Sequence, residues 1–306
     1  MSFWNAELQQ LMDEALVPGA AAAIVRDGHL AEVASCGVRH VRSPLPVDAY
    51  TVFDAASLSK PVFAYLVLQL VDQGKLKLDA LLADSLPNYI VDDPRAASIT
   101  VDHVLSHSAG LPNWRNPDYP LRTYFQPGKR FSYSGEGFLY LQRVIEAVTG
   151  EKLDRLAQSL AFGPLGMNRS SFVWERRFHD NRAYPHDAFG TPALGNKPAE
   201  ANAAWSLQTC AADYARFLVG VLEGAGLRPE TAELWLRPRI HVKHQGIQCL
   251  GPSAEDVVIG VAWGLGWGLE PADGMKREEL IWIAQGLNAR GRERESLWLR
   301  ERAGAK

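Results

Sequence analysis

The chain has 306 residues, 47% of them apolar and 22% charged, with a formal net charge of −3. This is the composition of an ordinary globular protein, and the slight acidic balance excludes a polybasic surface for nucleic acid or anionic lipid. The longest apolar runs, 62–68 and 19–25, fall far short of the roughly 20 residues a membrane span needs.

At this length one hydrophobic core rarely serves the whole chain, so two lobes are expected. The cysteines are Cys36, Cys210 and Cys249. They match no zinc or CxxC spacing, and an odd, sparse set of thiols suits a reducing compartment. Glu7, Asp13 and Glu14 interrupt the first apolar stretch, which is unlike a secretory leader, so the cytoplasm is the expected location.

In chain order, residues 4–16 carry the apolar spacing of a helix, with Leu8, Leu11, Met12 and Ala15 on one face. Residues 20–25 and 29–38 read as two strands joined at Asp27-Gly28. Residues 58–73 are apolar on nearly every side and end at Gly74, the pattern of a helix at the centre of a domain. Further helices are expected around 78–85, 101–107, 136–149, 151–162, 211–222 and 229–236. The stretch 169–204 reads as a long surface loop. Residues 257–269 return to strand character, with four glycines interleaved with Trp263 and Trp267. The segment from 276 onward is densely charged and is a poor candidate for the closing strands of a sheet.

The first chemistry-bearing pattern is Ser57-Leu58-Ser59-Lys60. On a helix, positions i and i+3 share a face, so an ammonium can approach the hydroxyl. A serine becomes a competent nucleophile when a base takes its proton, and a lysine serves once desolvation has made it neutral. Ser57 also lies where an extended segment passes into a helix, so backbone N–H groups would face a developing oxyanion. Pro61 fits the first helical turn. The plainer alternative is an N-capping serine beside a surface lysine. The second pattern is Phe131-Ser132-Tyr133-Ser134-Gly135 after Pro127-Gly128. A loop tyrosine beside a lysine can relay a proton between nucleophile and leaving group. Its plainer alternative is a packed tyrosine with a backbone partner.

With these two patterns on the page, the chain resembles the penicillin-recognising, serine β-lactamase-like superfamily. That group holds class C β-lactamases, D-alanyl-D-alanine carboxypeptidases and β-lactamase-like carboxylesterases. The resemblance is carried by residues 53–61 (FDAASLSKP), 100–112 (TVDHVLSHSAGLP), the stretch from Pro127 to Ser134, and connecting segments at 148–150, 162–167 and 264–270. It implies an α+β fold: an α/β-sandwich lobe with an antiparallel sheet, and an all-helical lobe. The expected division is 1–60 with 223–306 for the sheet lobe and 61–222 for the helical lobe, with a cleft between them. It further implies an acyl-enzyme on Ser57, proton handling by Lys60 and Tyr133, and no cofactor. The substrate would be a small-molecule ester or amide. Neither nucleic acid nor membrane is an expected partner, and the oligomeric state is left open.

Two departures bear on substrate class. The superfamily's second motif often reads Tyr-x-Asn, whereas here the third place is Gly135. No Lys-Thr-Gly or His-x-Gly follows Gly268, and His244-Gln245-Gly246 precedes the Trp-Gly-rich segment. The nearest counterpart downstream is Gln285-Gly286 with Asn288, and an incomplete C-terminal sheet is one expectation. The candidate substrate-binding residues are therefore Trp114, Ser134, Gln285, Gly286 and Asn288, with Trp174 as a second loop tryptophan. His103 and His107 read as structural, and the histidines show no metal-ligand spacing. No Gly-x-Ser-x-Gly elbow occurs, which argues against an α/β-hydrolase. A carboxylesterase for short acyl esters is the favoured activity. The alternatives are a β-lactamase or D-amino-acid peptidase, and a catalytically weak relative that only binds.

Overall fold

The computed structural model describes residues 3–187, 189–243, 249–251 and 261–269. Helix α1 (Phe3–Ala15) leads into strands β1 (Gly19–Arg26) and β2 (His29–Gly37), which pair antiparallel from Gly19 opposite Gly37 to Arg26 opposite His29. The turn between them puts both Asp27 and Gly28 at positive φ (52° and 74°), the two-residue turn whose twist matches that of paired strands. Helix α1 packs against this hairpin, and so does α7 (Ala211–Glu223).

Strand β3 (Phe53–Asp54) pairs antiparallel with β4 (Gln208–Thr209). A single 3₁₀ turn, Ala56–Leu58, then opens helix α2 (Ser59–Asp72). As its composition predicts, α2 is buried all round: Val62, Phe63, Leu66, Val67 and Leu68 are fully enclosed. Burying each such side chain stabilises the fold by about 2 kcal/mol. The helix packs against α6 (Leu153–Ala157) and α8 (Pro229–Trp235). Tyr65 stacks on Trp235 with ring centroids 5.5 Å apart, and its hydroxyl donates to the Ala225 carbonyl at 2.8 Å.

Around this axis stand α3 (Leu82–Ser85), α4 (Val101–Leu105) and α5 (Gly135–Thr149). Thr100 caps α4 with a reciprocal bond to His103, and Ser134 caps α5 by accepting from the Gly137 N–H at 2.9 Å. These caps fix where the two helices begin, and so where the preceding loops are presented.

Strands β5 (Ile240–His241), β6 (Ala262–Trp263) and β7 (Gly268–Leu269) form a third antiparallel sheet in that order. Within the stretch read as having strand character, the described residues from Ala262 to Leu269 make a tight hairpin of β6 and β7. Its turn brings Gly266, at φ 87°, against the start of α2, where a Cβ would lie 2.7 Å from that of Ala64. Only glycine meets both demands, and the close approach seats this hairpin on the helix that follows Ser57. The described residues thus mix helix with antiparallel sheet, as expected of an α+β fold.

Candidate active site

Ser57 sits in the 3₁₀ turn between β3 and α2. Ala56, just before it, has φ 46°, a left-handed conformation that costs a non-glycine residue about 1–3 kcal/mol and persists only where its surroundings enforce it. The enforcement is visible. The Ser59 hydroxyl donates to the Ala56 carbonyl at 2.6 Å and accepts from the Leu207 N–H at 2.9 Å. The Ala55 N–H donates to the Leu207 carbonyl at 2.9 Å. The nucleophile's turn is thus tied to the segment 203–209, far away in sequence.

Lys60, one helical turn on, places its Nζ 3.1 Å from Ser57 Oγ and donates to the Ala204 carbonyl at 2.7 Å. It is only 2% exposed. Desolvation pulls its pKa from 10.5 down to about 7, because burial penalises the ammonium and not the neutral amine. The sequence alternative of a surface lysine is therefore excluded. The carbonyl that holds Nζ is itself positioned: the Ala204 N–H donates to Asn202 Oδ1 at 2.9 Å, and Gln142 of α5 bonds both the Ala203 N–H and the Ala201 carbonyl at 2.9 Å.

Tyr133 is buried in the loop before α5, and Lys60 Nζ lies 4.6 Å from the centroid of its ring. The element that sets Tyr133 is His107. Its carbonyl accepts from the Ser132 N–H at 2.8 Å, and its Nδ1 accepts from the Ser134 N–H at 3.0 Å. Its ring stacks on Tyr133 with centroids 4.1 Å apart. Burial, and then the charge of Lys60, hold the His107 imidazole well below its ordinary pKa, so it is neutral. With Nδ1 accepting, the ring proton belongs on Nε2. The sequence reading of His107 as structural agrees with its burial and backbone bonds, but it did not name the target, the residues on both sides of Tyr133. The signal lay in its place within the 100–112 segment, and its target becomes visible only in three dimensions.

Ser57, Lys60 and Tyr133 line one cleft of about 430 Å³ with Trp114, Trp205 and the polar side chains of Asp54, Asn113 and Asn196. The arrangement can remove a proton from Ser57, hold it on Lys60, and carry out acyl transfer on a substrate lodged between the tryptophans. Trp114, a candidate from the sequence, is among the residues lining this cleft. Ser134 has a different task, because its hydroxyl donates to the Pro112 carbonyl at 2.8 Å while capping α5. The Arg182 guanidinium lies over the Trp174 ring, which meets Phe178 edge-on, and Trp174 is not among the cleft's lining residues. Gln285, Gly286 and Asn288 lie outside the described residues, as does His244-Gln245-Gly246. Trp205, Asn113 and Asn196 lie outside the motifs quoted above, and Asp54 lies within the 53–61 segment but was not singled out there.

The sequence profile of the Beta-lactamase family matches residues 4–299. A penicillin-binding protein 4 from Amycolatopsis lactamdurans is 31% identical over 295 residues, covering 89% of this chain and 76% of that protein. Esterase EstB of Burkholderia gladioli is 29% identical over 202 residues, 55% of this chain and 50% of the esterase. The octameric penicillin-binding protein homologue from Pyrococcus abyssi superposes with a TM-score of 0.69 at 24% identity, over 86% of this chain. The chain spans 64% of that structure's length.

Proposed function

The chain belongs to the beta-lactamase family, and from that premise we propose that it is a carboxylesterase for short acyl esters working through an acyl-enzyme on Ser57. The observation that carries the reading is the 3.1 Å approach of a buried Lys60, its pKa brought down to about 7, to Ser57 Oγ. As neutral Lys60 takes the hydroxyl proton, Oγ attacks the ester carbonyl carbon and the carbonyl electrons move onto oxygen. The Ser57 backbone N–H, at the start of the helical turn, is one donor for that oxyanion. Collapse of the tetrahedral adduct breaks the bond to the leaving alkoxide, which receives the proton from Lys60 by way of Tyr133. Water then attacks the acyl-enzyme, with the same pair accepting its proton and returning one to Ser57.

The ester preference rests on what the cleft offers. Among its described lining residues Lys60 is the sole basic side chain, and it faces the nucleophile. None is left to hold a substrate carboxylate, and position 135 has no side chain to bind a substrate amide. The esterase relative supports the choice, while the penicillin-binding relative supports the second reading, a β-lactam- or D-amino-acid-directed hydrolase. The three free thiols fit a cytoplasmic setting, and no helix among the described residues is long and apolar enough to cross a membrane.

Incubation with a fluorophosphonate, followed by peptide mapping, is expected to place the adduct on Ser57. Labelling elsewhere, or labelling that persists in Ser57→Ala, would refute the assignment. Turnover of p-nitrophenyl butyrate is expected to exceed that of a chromogenic cephalosporin, and the reverse order would overturn the esterase reading in favour of the second.

A further inference from the structure

Position 135 is the one place where the second motif lacks a side chain, and the space is not vacant. A Cβ there would lie 2.6 Å from Trp114 Cζ2, 2.7 Å from Cη2, and 3.0 Å from the Asn113 carbonyl oxygen. The indole edge of Trp114 thus rests against the backbone of Gly135, in the volume any larger residue would claim.

The loop that carries Trp114 is fastened on both sides. The Asn113 carbonyl accepts from the N–H groups of Gly135 and Glu136, each at 3.0 Å, and Asn113 Oδ1 accepts from Gly135 N–H at 3.0 Å. On the other flank, Arg115 donates from its backbone N–H and Nε to Glu136 Oε1 at 3.0 and 2.9 Å, and from Nη2 to Oε2 at 2.6 Å. Glu136 is buried beneath this fork. Trp114 is therefore held at the first turn of α5, yet remains 40% exposed and lines the same cleft as Ser57. A large aromatic surface kept in place and left partly open beside a nucleophile is poised to stack on a ligand.

We propose that Gly135 and Trp114 form one specificity device, an aromatic platform that selects ester substrates carrying a planar aromatic group. Gly135 makes room for the indole, the Asn113 and Arg115 anchors fix it, and its exposed surface receives the substrate ring. The proposal rests on the esterase reading above and names the substrate class within it.

The test compares benzyl acetate with cyclohexylmethyl acetate, and ethyl phenylacetate with ethyl cyclohexylacetate, each kcat/KM corrected for the ester's reactivity with hydroxide. The partners in each pair are similar in bulk and apolar character but differ in planarity and π-face. The expected result is a preference of roughly fivefold or more for the phenyl member of at least one pair. It disappears in Trp114→Ala, persists in Trp114→Phe, and shrinks in Gly135→Ala, whose methyl displaces the indole. No phenyl preference in either pair, or one that survives Trp114→Ala, overturns the proposal. The rate at which phenyl and cyclohexyl phosphonates modify Ser57 separates the two readings. A Trp114-dependent phenyl preference in that rate, without ester turnover, supports the platform and overturns the esterase reading alone.

Discussion

The imidazole of His107 and the phenol of Tyr133 lie face to face, their ring centroids 4.1 Å apart and their planes 27° apart. The same histidine accepts hydrogen bonds from the residues on either side of that tyrosine. Stacking fixes the plane of the phenol and the two bonds fix the backbone that bears it. His107 itself has a φ of 55°, a conformation that asparagine and histidine tolerate better than most residues.

His107→Asn keeps a short acceptor and suits this backbone, but removes the stacked ring. It is expected to fold, to lose about 10- to 100-fold in kcat through misplacement of Tyr133, and to change KM by less than about threefold. Since His107 is already neutral, the acidic limb of the pH profile, set by Lys60, is expected to stay where it is. Steady-state kinetics across pH on a variant with a normal melting transition checks this. An unchanged kcat would remove His107 from the positioning of Tyr133.

Lys60 makes stability depend on pH in a defined direction. Its pKa is 10.5 unfolded and about 7 folded, so between those values the unfolded chain binds more protons, and stability rises with pH. The interval corresponds to about 5 kcal/mol. Lys60→Met removes the cost of burying the cation. Its stability relative to the parent is expected to be greatest below pH 7 and to decline steadily toward pH 10. Urea denaturation of both proteins at a series of pH values measures the difference. A difference that is flat from pH 6.5 to 10 would contradict a neutralised Lys60.

Ser59 is buried, and its hydroxyl holds the strained Ala56 carbonyl on one side and the Leu207 N–H on the other. Ser59→Ala leaves both groups without that partner, at an expected cost of about 2 kcal/mol in unfolding free energy. It also loosens the turn that presents Ser57, so acylation slows more than substrate binding weakens. Thermal and chemical denaturation together with pre-steady-state acylation report the two effects separately. A variant as stable and as fast as the parent would show that the turn is held by other means.

The buried helix behind Ser57 and the nearness of Ser57, Lys60 and Tyr133 to one another were legible in the sequence, for physical reasons. An all-apolar helix needs a domain around it, i and i+3 share a helical face, and Asp27-Gly28 is suited to the positive φ its turn demands. What escaped were contacts between residues distant in the chain. Lys60 finds its carbonyl at Ala204, which Gln142 helps to hold from a third element, and no local spacing encodes such a triangle. Asn196 enters the cleft from the stretch read as a long surface loop, and Trp205 from the residue just beyond it. Ser134 looked like a ligand-binding hydroxyl because it sits in the motif, but its nearest obligation is the helix terminus it caps. The strand character of 257–269 was legible, but not the turn at Gly266, because alternating glycine and tryptophan fit an extended chain as well as a turn that must clear Ala64.

The central claim is that Lys60, neutral near pH 7, takes the proton from Ser57. The most direct test is the pH dependence of the rate at which a neutral p-nitrophenyl phosphonate modifies Ser57 in a single turnover. The nucleophile must lose its proton for this reaction, whereas leaving-group protonation and hydrolysis play no part in it. The expected profile rises with pH through an apparent pKa of about 7 and then levels off. In Lys60→Met the rate is expected to fall by at least about a hundredfold and to lose that inflection. A wild-type rate independent of pH between 5.5 and 9, or a Lys60→Met protein modified as fast as the parent, would contradict the account.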